Sequence, residues 1–155
     1  MTGQCDLRLA ELHYPLDVAT PEGSLVESVT VDGFMVYASG QVAFNGDRLA
    51  FVGKVPSEVD PASAKIAASL CAANVLRAVR RKLGTLDCIA RVVRITGYVN
   101  SDVNFTDQHL VLNGASELVL AVFGEAGKHA RTAIGVSQLP LNSSVEVEMI
   151  LRLNE

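Results

Sequence analysis

The sequence predicts an α+β fold in which two long helices cover one face of a mixed β-sheet, and three observations carry that expectation. Two β-branched runs flank Asp32-Gly33, a pair that marks a tight hairpin. Apolar residues recur at three- and four-residue steps between Asp60-Pro61 and Gly84. Near the C-terminus, 132–136 and 145–153 alternate apolar and polar residues around Leu139-Pro140, as half-buried strands do. Strands first, then helix, strand, helix and two more strands make an α+β sandwich. No internal repeat or low-complexity linker interrupts the 155 residues. The chain therefore reads as one domain, 1–155, with 1–23 an N-terminal extension and 24–153 the core.

Each element has a local reason. Leu9 and Leu12 suggest a short helical stretch that must end before Pro15, because the residue before a proline is pushed out of the helical region. The hairpin follows over 24–38, with Asp32 and Gly33 expected at the centre of its turn, and a further short strand interrupted by Asn45-Gly46. Asp60 is an N-cap and Pro61 a first helical residue, so 61–83 is an amphipathic helix with Ile66, Leu70, Ala73, Leu76, Val79 and Leu83 on its apolar face. Arg77, Arg80, Arg81 and Lys82 fall in its last turns, where cations complement the helix dipole, and read as a solvated helix end. Cys88 to Val99 is a Val/Ile-rich buried strand. A second helix is expected over 106–123, with Leu110, Leu118 and Val122 along one face and Gly124 as its stop. Gly114 inside it costs about 1 kcal/mol relative to Ala, which implies a close approach or a bend.

Composition bounds the function. Hydrophobic residues are 49% of the chain and charged ones 19%, with no Trp; the charged share is below the usual ~25%. One sheet face lies under the helices, whereas nothing in the chain covers the other, so a homo-oligomer is expected. A net charge of −4 lacks the basic excess that phosphate neutralisation demands, which disfavours nucleic acid as a partner. The three cysteines, Cys5, Cys71 and Cys88, are widely spaced and form no C-x-x-C, consistent with a reducing cytoplasm. Neither an apolar leader over Met1 to Ala10 nor a run of ~18 apolar residues is present, so no membrane span is expected.

The sequence lacks G-x-S-x-G, P-loop, G-x-G-x-x-G and H-E-x-x-H motifs, and His13, His109 and His129 lie far apart, so no metal site is expected. The informative stretch is Ala130-Arg131-Thr-Ala-Ile-Gly-Val-Ser-Gln-Leu-Pro-Leu-Asn-Ser-Ser-Val-Glu-Val-Glu. Arg131 opens an apolar strand, and Glu146 and Glu148 share one face of the last. Spacing alone leaves two readings open. In one, these are solvent-facing charges; in the other, a guanidinium grips a carboxylate bidentately while a glutamate handles a proton or water.

The same stretch resembles the signature of the RidA/YjgF family, the reactive intermediate deaminases once called L-PSP endoribonucleases. The Ala-Arg-(Ser/Thr)-x-(Ile/Val)-x-Val-x-x-Leu-Pro pattern followed by (Val/Ile)-Glu-(Ile/Val)-Glu is met from Ala130 to Glu148, with Arg131 and Glu146 fifteen residues apart. Met35-Val-Tyr-Ala-Ser-Gly-Gln-Val resembles the family's early strand, and Asn104-Phe105 fits before the second helix.

The resemblance implies a chorismate-mutase-like fold of the bacillary type, a homotrimer with a central β-barrel, and ligand clefts between subunits. It implies hydrolysis of 2-imino or 2-enamino acids to 2-oxo acids and ammonia, without a cofactor. Arg131 would bind the substrate carboxylate and Glu146 would place or activate water. Ser39 and the Gly40 backbone would touch ligand, as would Asn113, with His109 a competing match on the helix. Leu25 stands where the family commonly has a tyrosine, and Ala133 where it has a cysteine, so both positions would line the cleft of a divergent subgroup. The alternatives are a non-catalytic trimer that binds a small carboxylate and an endoribonuclease.

Overall fold

In the computed structural model, residues 3–17 and 25–155 are described, and they run α1 (Gln4–Glu11), β1 (Val29–Asp32), β2 (Met35–Val42), β3 (Phe44–Asn45), β4 (Arg48–Leu49), α2 (Pro61–Leu83), β5 (Ile89–Asn100), α3 (Gln108–Phe123), β6 (Ala130–Val136) and β7 (Val145–Leu153). Five strands form one sheet in the order β1-β2-β7-β5-β6, and β3 pairs with β4 apart from it. Only β5 and β6 are parallel; β1–β2, β2–β7 and β5–β7 are antiparallel. The mixed sheet with both long helices on one face is the architecture the element order predicts.

Asp60 starts α2 by capping it. Its Oδ1 accepts from the Ala62 and Ser63 amides, each at 3.0 Å, and Ser63 Oγ donates to Oδ2 at 2.6 Å. Those bonds, the Ser63 hydroxyl first, hold the Asp60 carboxyl below its ordinary value. What keeps the helix in place is burial. Val75, Leu76 and Val79 are wholly buried, contributing about 1.5–3 kcal/mol each. Alanines at 64, 67, 68, 72 and 73 are buried with them, and their small side chains let α3 come close. Gly114 is the point of approach, since a Cβ there would collide with the Lys65 carbonyl oxygen. At the sheet, Gly97 makes room for Leu112 of α3 in the same way.

Several local expectations need correction. Asp32 pairs with Met35, so the two-residue hairpin loop is Gly33-Phe34, not Asp32-Gly33. Gly33 has φ +57°, as expected of a glycine leading a type II′ turn, which follows the strand twist. Residue 24 and the segment 18–23 lie outside the described residues. Ile66 and Leu110 are 56% and 50% exposed rather than buried with their helices' apolar faces. The packed face of α3 is instead Val111, Leu112, Ala115, Leu118, Val119 and Val122.

The basic end of α2 is also not simply solvated. Arg77 is 3% exposed; its Nε donates to Pro15 O at 2.7 Å and its Nη1 to Asn74 Oδ1 at 2.6 Å. Arg80 Nε lies 3.3 Å from Asp6 Oδ1. Asp6 also accepts from Thr85 Oγ1 and from the amides of Gly3 and Leu86, so α1 is pinned to the loop between α2 and β5. Cys5, near the N-terminus, is half-buried.

Candidate functional site

In-register neighbours on paired strands project to the same sheet face, and successive residues alternate. That parity places each candidate. Ile95 and Gly97 face the helices, and Arg131 and Ala133 are their partners on β6. Arg131 therefore lies on the helix side, at the sheet's edge. Thr96 and Tyr98 project the other way and are partnered by Glu148 and Glu146. Glu146 accordingly stands on the open face, and within one chain the two principal candidates are on opposite sides of the sheet.

On the helix side, Arg131 is tied to α3. Nη1 donates to Asn113 Oδ1 and Ser116 Oγ, both at 3.0 Å, and Nη2 donates to the His109 carbonyl oxygen at 3.2 Å. Both helix candidates thus reach the arginine, Asn113 by its side chain and His109 by its backbone. Three of five guanidinium N–H groups are used. Among the described residues Nε–H and one Nη2–H have no acceptor, which leaves two donors for the oxygens of a carboxylate. Ala133 is half-buried and packs against the core.

On the open face, the strand pairing shifts where Ala38 opposes Met149 and Gln41 opposes Val147. Ser39 and Gly40 are a two-residue β-bulge opposite Glu148. Ser39 Oγ donates to Glu27 O at 2.7 Å. A Cβ at Gly40 would collide with Glu146 Oε1, so glycine is what allows the carboxylate to lie against the bulge. Burial, and next the negative charge of Glu148, push the Glu146 carboxyl above its ordinary value. Tyr98 Oη donates to Glu148 Oε1 at 3.4 Å. A shallow pocket of about 270 Å³ beside the bulge is lined by Thr30, Tyr37, Ser39 and Glu148, among others. Leu25 is 97% exposed, at the start of the segment leading into β1.

Two contributors escaped the sequence reading. Ser116 bonds Arg131, and His129 bonds Ser116, with Nε2 3.0 Å from Oγ. Their distance from the arginine along the chain follows no motif; only the packing of α3 beside β6 unites them. Among the described residues no three His, Cys, Asp or Glu side chains converge as a metal site would need.

A five-stranded mixed sheet with long helices on one face and an arginine at its edge places the molecule in the chorismate-mutase-like α+β class. The family described as "YjgF/chorismate_mutase-like, putative endoribonuclease" matches residues 5–153, and the chain belongs to this YjgF/RidA family. It is 36% identical over 154 residues to Protein TCP17 of Trypanosoma cruzi, covering 99% of this chain and 96% of that one. The crystal structure of Atu1372 from Agrobacterium tumefaciens, a protein of unknown function, superposes with a TM-score of 0.89 at 42% identity, covering 97% and 92% of the two chains. RidA from the Antarctic bacterium Psychrobacter sp. PAMC 21119 superposes with a TM-score of 0.61 at 25% identity, covering 88% and 95%.

Proposed function

We propose that the protein is an enamine/imine deaminase that hydrolyses 2-imino and 2-enamino acids to 2-oxo acids and ammonia in clefts between the subunits of a homotrimer. The observation that carries this reading is the division of the site: Arg131 presents its unsatisfied donors on one face, and Ser39, Gly40 and Glu146 stand on the other. A ligand held by both halves must lie between two copies, with the open face of one against the β6 edge of its neighbour. Membership of the YjgF/RidA family supports the same assembly and substrate class.

Arg131 holds the substrate carboxylate through Nε–H and Nη2–H, and this fixes the imine carbon near the neighbour's Glu146. A carboxyl with a raised pKa takes up a proton more readily than an ordinary carboxylate, which suits a group that accepts and returns one in turn. Protonation of the imine nitrogen makes the C=N carbon more electrophilic. Glu146 then takes a proton from the attacking water, C–O forms, and the carbinolamine collapses with loss of ammonia. An enamine substrate first gains a proton at its terminal carbon. These steps draw on no metal or organic cofactor. The three free thiols fit a cytoplasmic location.

The reading is tested by generating 2-imino acids in situ and following 2-oxo-acid release. Wild type accelerates release, while Arg131→Ala and Glu146→Ala do not. When the two inactive variants are unfolded together and refolded at equal amounts, about a quarter of sites pair an intact arginine with an intact glutamate, and about a quarter of the activity returns. No acceleration by wild type, or no recovery on mixing, sinks the shared-site deaminase. Binding of a 2-oxo acid without turnover, abolished by Arg131→Ala, identifies a carboxylate-binding trimer instead. Release of RNA cleavage products that copurifies with the protein would favour the ribonuclease; the burial of Arg77 and the pairing of Arg80 argue against an RNA groove at that helix end.

A further inference from the structure

We propose that Ser116 and His129 are positioning residues that hold the Arg131 guanidinium in register for a carboxylate, an inference that rests on the carboxylate-binding reading of Arg131. With a neutral imidazole at His129 the chain of bonds has one consistent direction. His129 Nδ1 lies 2.6 Å from the Gly127 carbonyl oxygen; a carbonyl only accepts, so Nδ1 carries the proton. In the neutral ring Nε2 is then a lone pair, and the Ser116 hydroxyl, 3.0 Å away, donates to it. With its proton committed, Ser116 Oγ turns a lone pair to Arg131 and accepts from Nη1 at 3.0 Å.

The anchor of this relay is itself held. A Cβ at Gly127 would collide with the Val119 carbonyl oxygen, so the short 3₁₀ turn Gly124–Gly127 lies flat on α3 and its last carbonyl is in a set place. His129 is two residues before Arg131 on the same strand entry, and Ser116 is one turn beyond Asn113 on α3. Bonds from Asn113, Ser116 and His109 O then fix Nη1 and Nη2 from the helix side. The guanidinium plane cannot swing, and Nε–H with the remaining Nη2–H keeps one orientation before any ligand arrives. Preorganisation of this kind raises affinity by removing the ordering cost from the binding step.

The test uses ¹⁵N-labelled full-length protein and two readouts: the Arg131 Nε–H resonance, assigned by its loss in Arg131→Lys, and its titration with sodium 2-oxobutyrate. Wild type is expected to give one sharp resonance that shifts on titration. Ser116→Ala and His129→Ala broaden or displace it and weaken 2-oxobutyrate binding about tenfold, the worth of one lost hydrogen bond. The double variant is no weaker than either single one, because each breaks the same relay. Ser116→Thr, which keeps the hydroxyl, restores both readouts and guards against loss of fold. An unchanged resonance with unchanged affinity in the alanine variants, or losses that multiply in the double variant, overturns the relay. A wild type that binds no 2-oxobutyrate, with the resonance still perturbed in both variants, leaves the relay standing and removes the carboxylate reading.

Discussion

Glu146 feels two effects of the same sign, burial and the charge of Glu148, and both oppose its ionisation. The consequence for pH is direct. Removing the neighbouring charge in Glu148→Gln lowers the Glu146 pKa, so the acid limb of the kcat profile moves to lower pH, read from 2-oxo-acid release across a pH series; a limb that stays or moves upward rejects Glu146 as the titrating group. A carboxyl whose folded pKa is raised is a cost to stability once ionised, relieved as pH falls through that pKa. At this scale the motif made Arg131, Glu146, Ser39 and Gly40 legible, since each sits in a recognisable local string. Ser116 and His129 were not, because their roles come from α3 lying beside β6 and from no periodicity. Asn113 and His109 both reach Arg131, one through its amide oxygen and the other through its backbone carbonyl.

Among the elements, α2 is read from sequence end to end. Asp60-Pro61 and Gly84 are punctuation that tertiary packing does not overrule, and Gly84 takes φ +88°. The hairpin turn is displaced by one residue because a β-branched run on either side fits more than one register; pairing with β7 decides it. Arg77 shows the opposite failure, a cation at a helix end whose burial depends on where Pro15 and Asn74 lie. Gly114 joins the sequence argument to the packing. Helix propensity alone favours Ala there by about 1 kcal/mol, but a Cβ would meet backbone of α2 that cannot give way. Gly114→Ala is therefore expected to destabilise by about 1–3 kcal/mol and to lower Tm by roughly 3–10 °C, measured by calorimetry. A Tm that rises would mean that α2 and α3 separate at little cost.

Over the whole molecule, the alternating pattern of strands was legible but the side of the sheet on which each charge stands was not. Facing depends on how β6 registers against β5 and β7 against β5, which no single strand encodes. That parity is also why one chain carries Arg131 and Glu146 on opposite faces of its sheet. A different property follows from the loop between α2 and β5. Cys5 N donates to Asp87 Oδ1 at 2.9 Å, a Cβ on Gly3 would run into the Asp87 carboxylate, and at the far end of the sequence Asn154 donates from its backbone to Cys88 O and from its side chain to Asp87 O, at 2.8 and 2.9 Å. Residues near both ends of the described chain thus meet on the one five-residue loop 84–88. Joining 155 to 3 through a linker of a few residues and reopening the chain in the Gly46-Asp47 turn should leave far-UV circular dichroism and Tm close to those of the parent, whereas an unfolded product would show that α1 must be made first. The fold is in this sense nearly a closed ring, its two ends held side by side by Asp87.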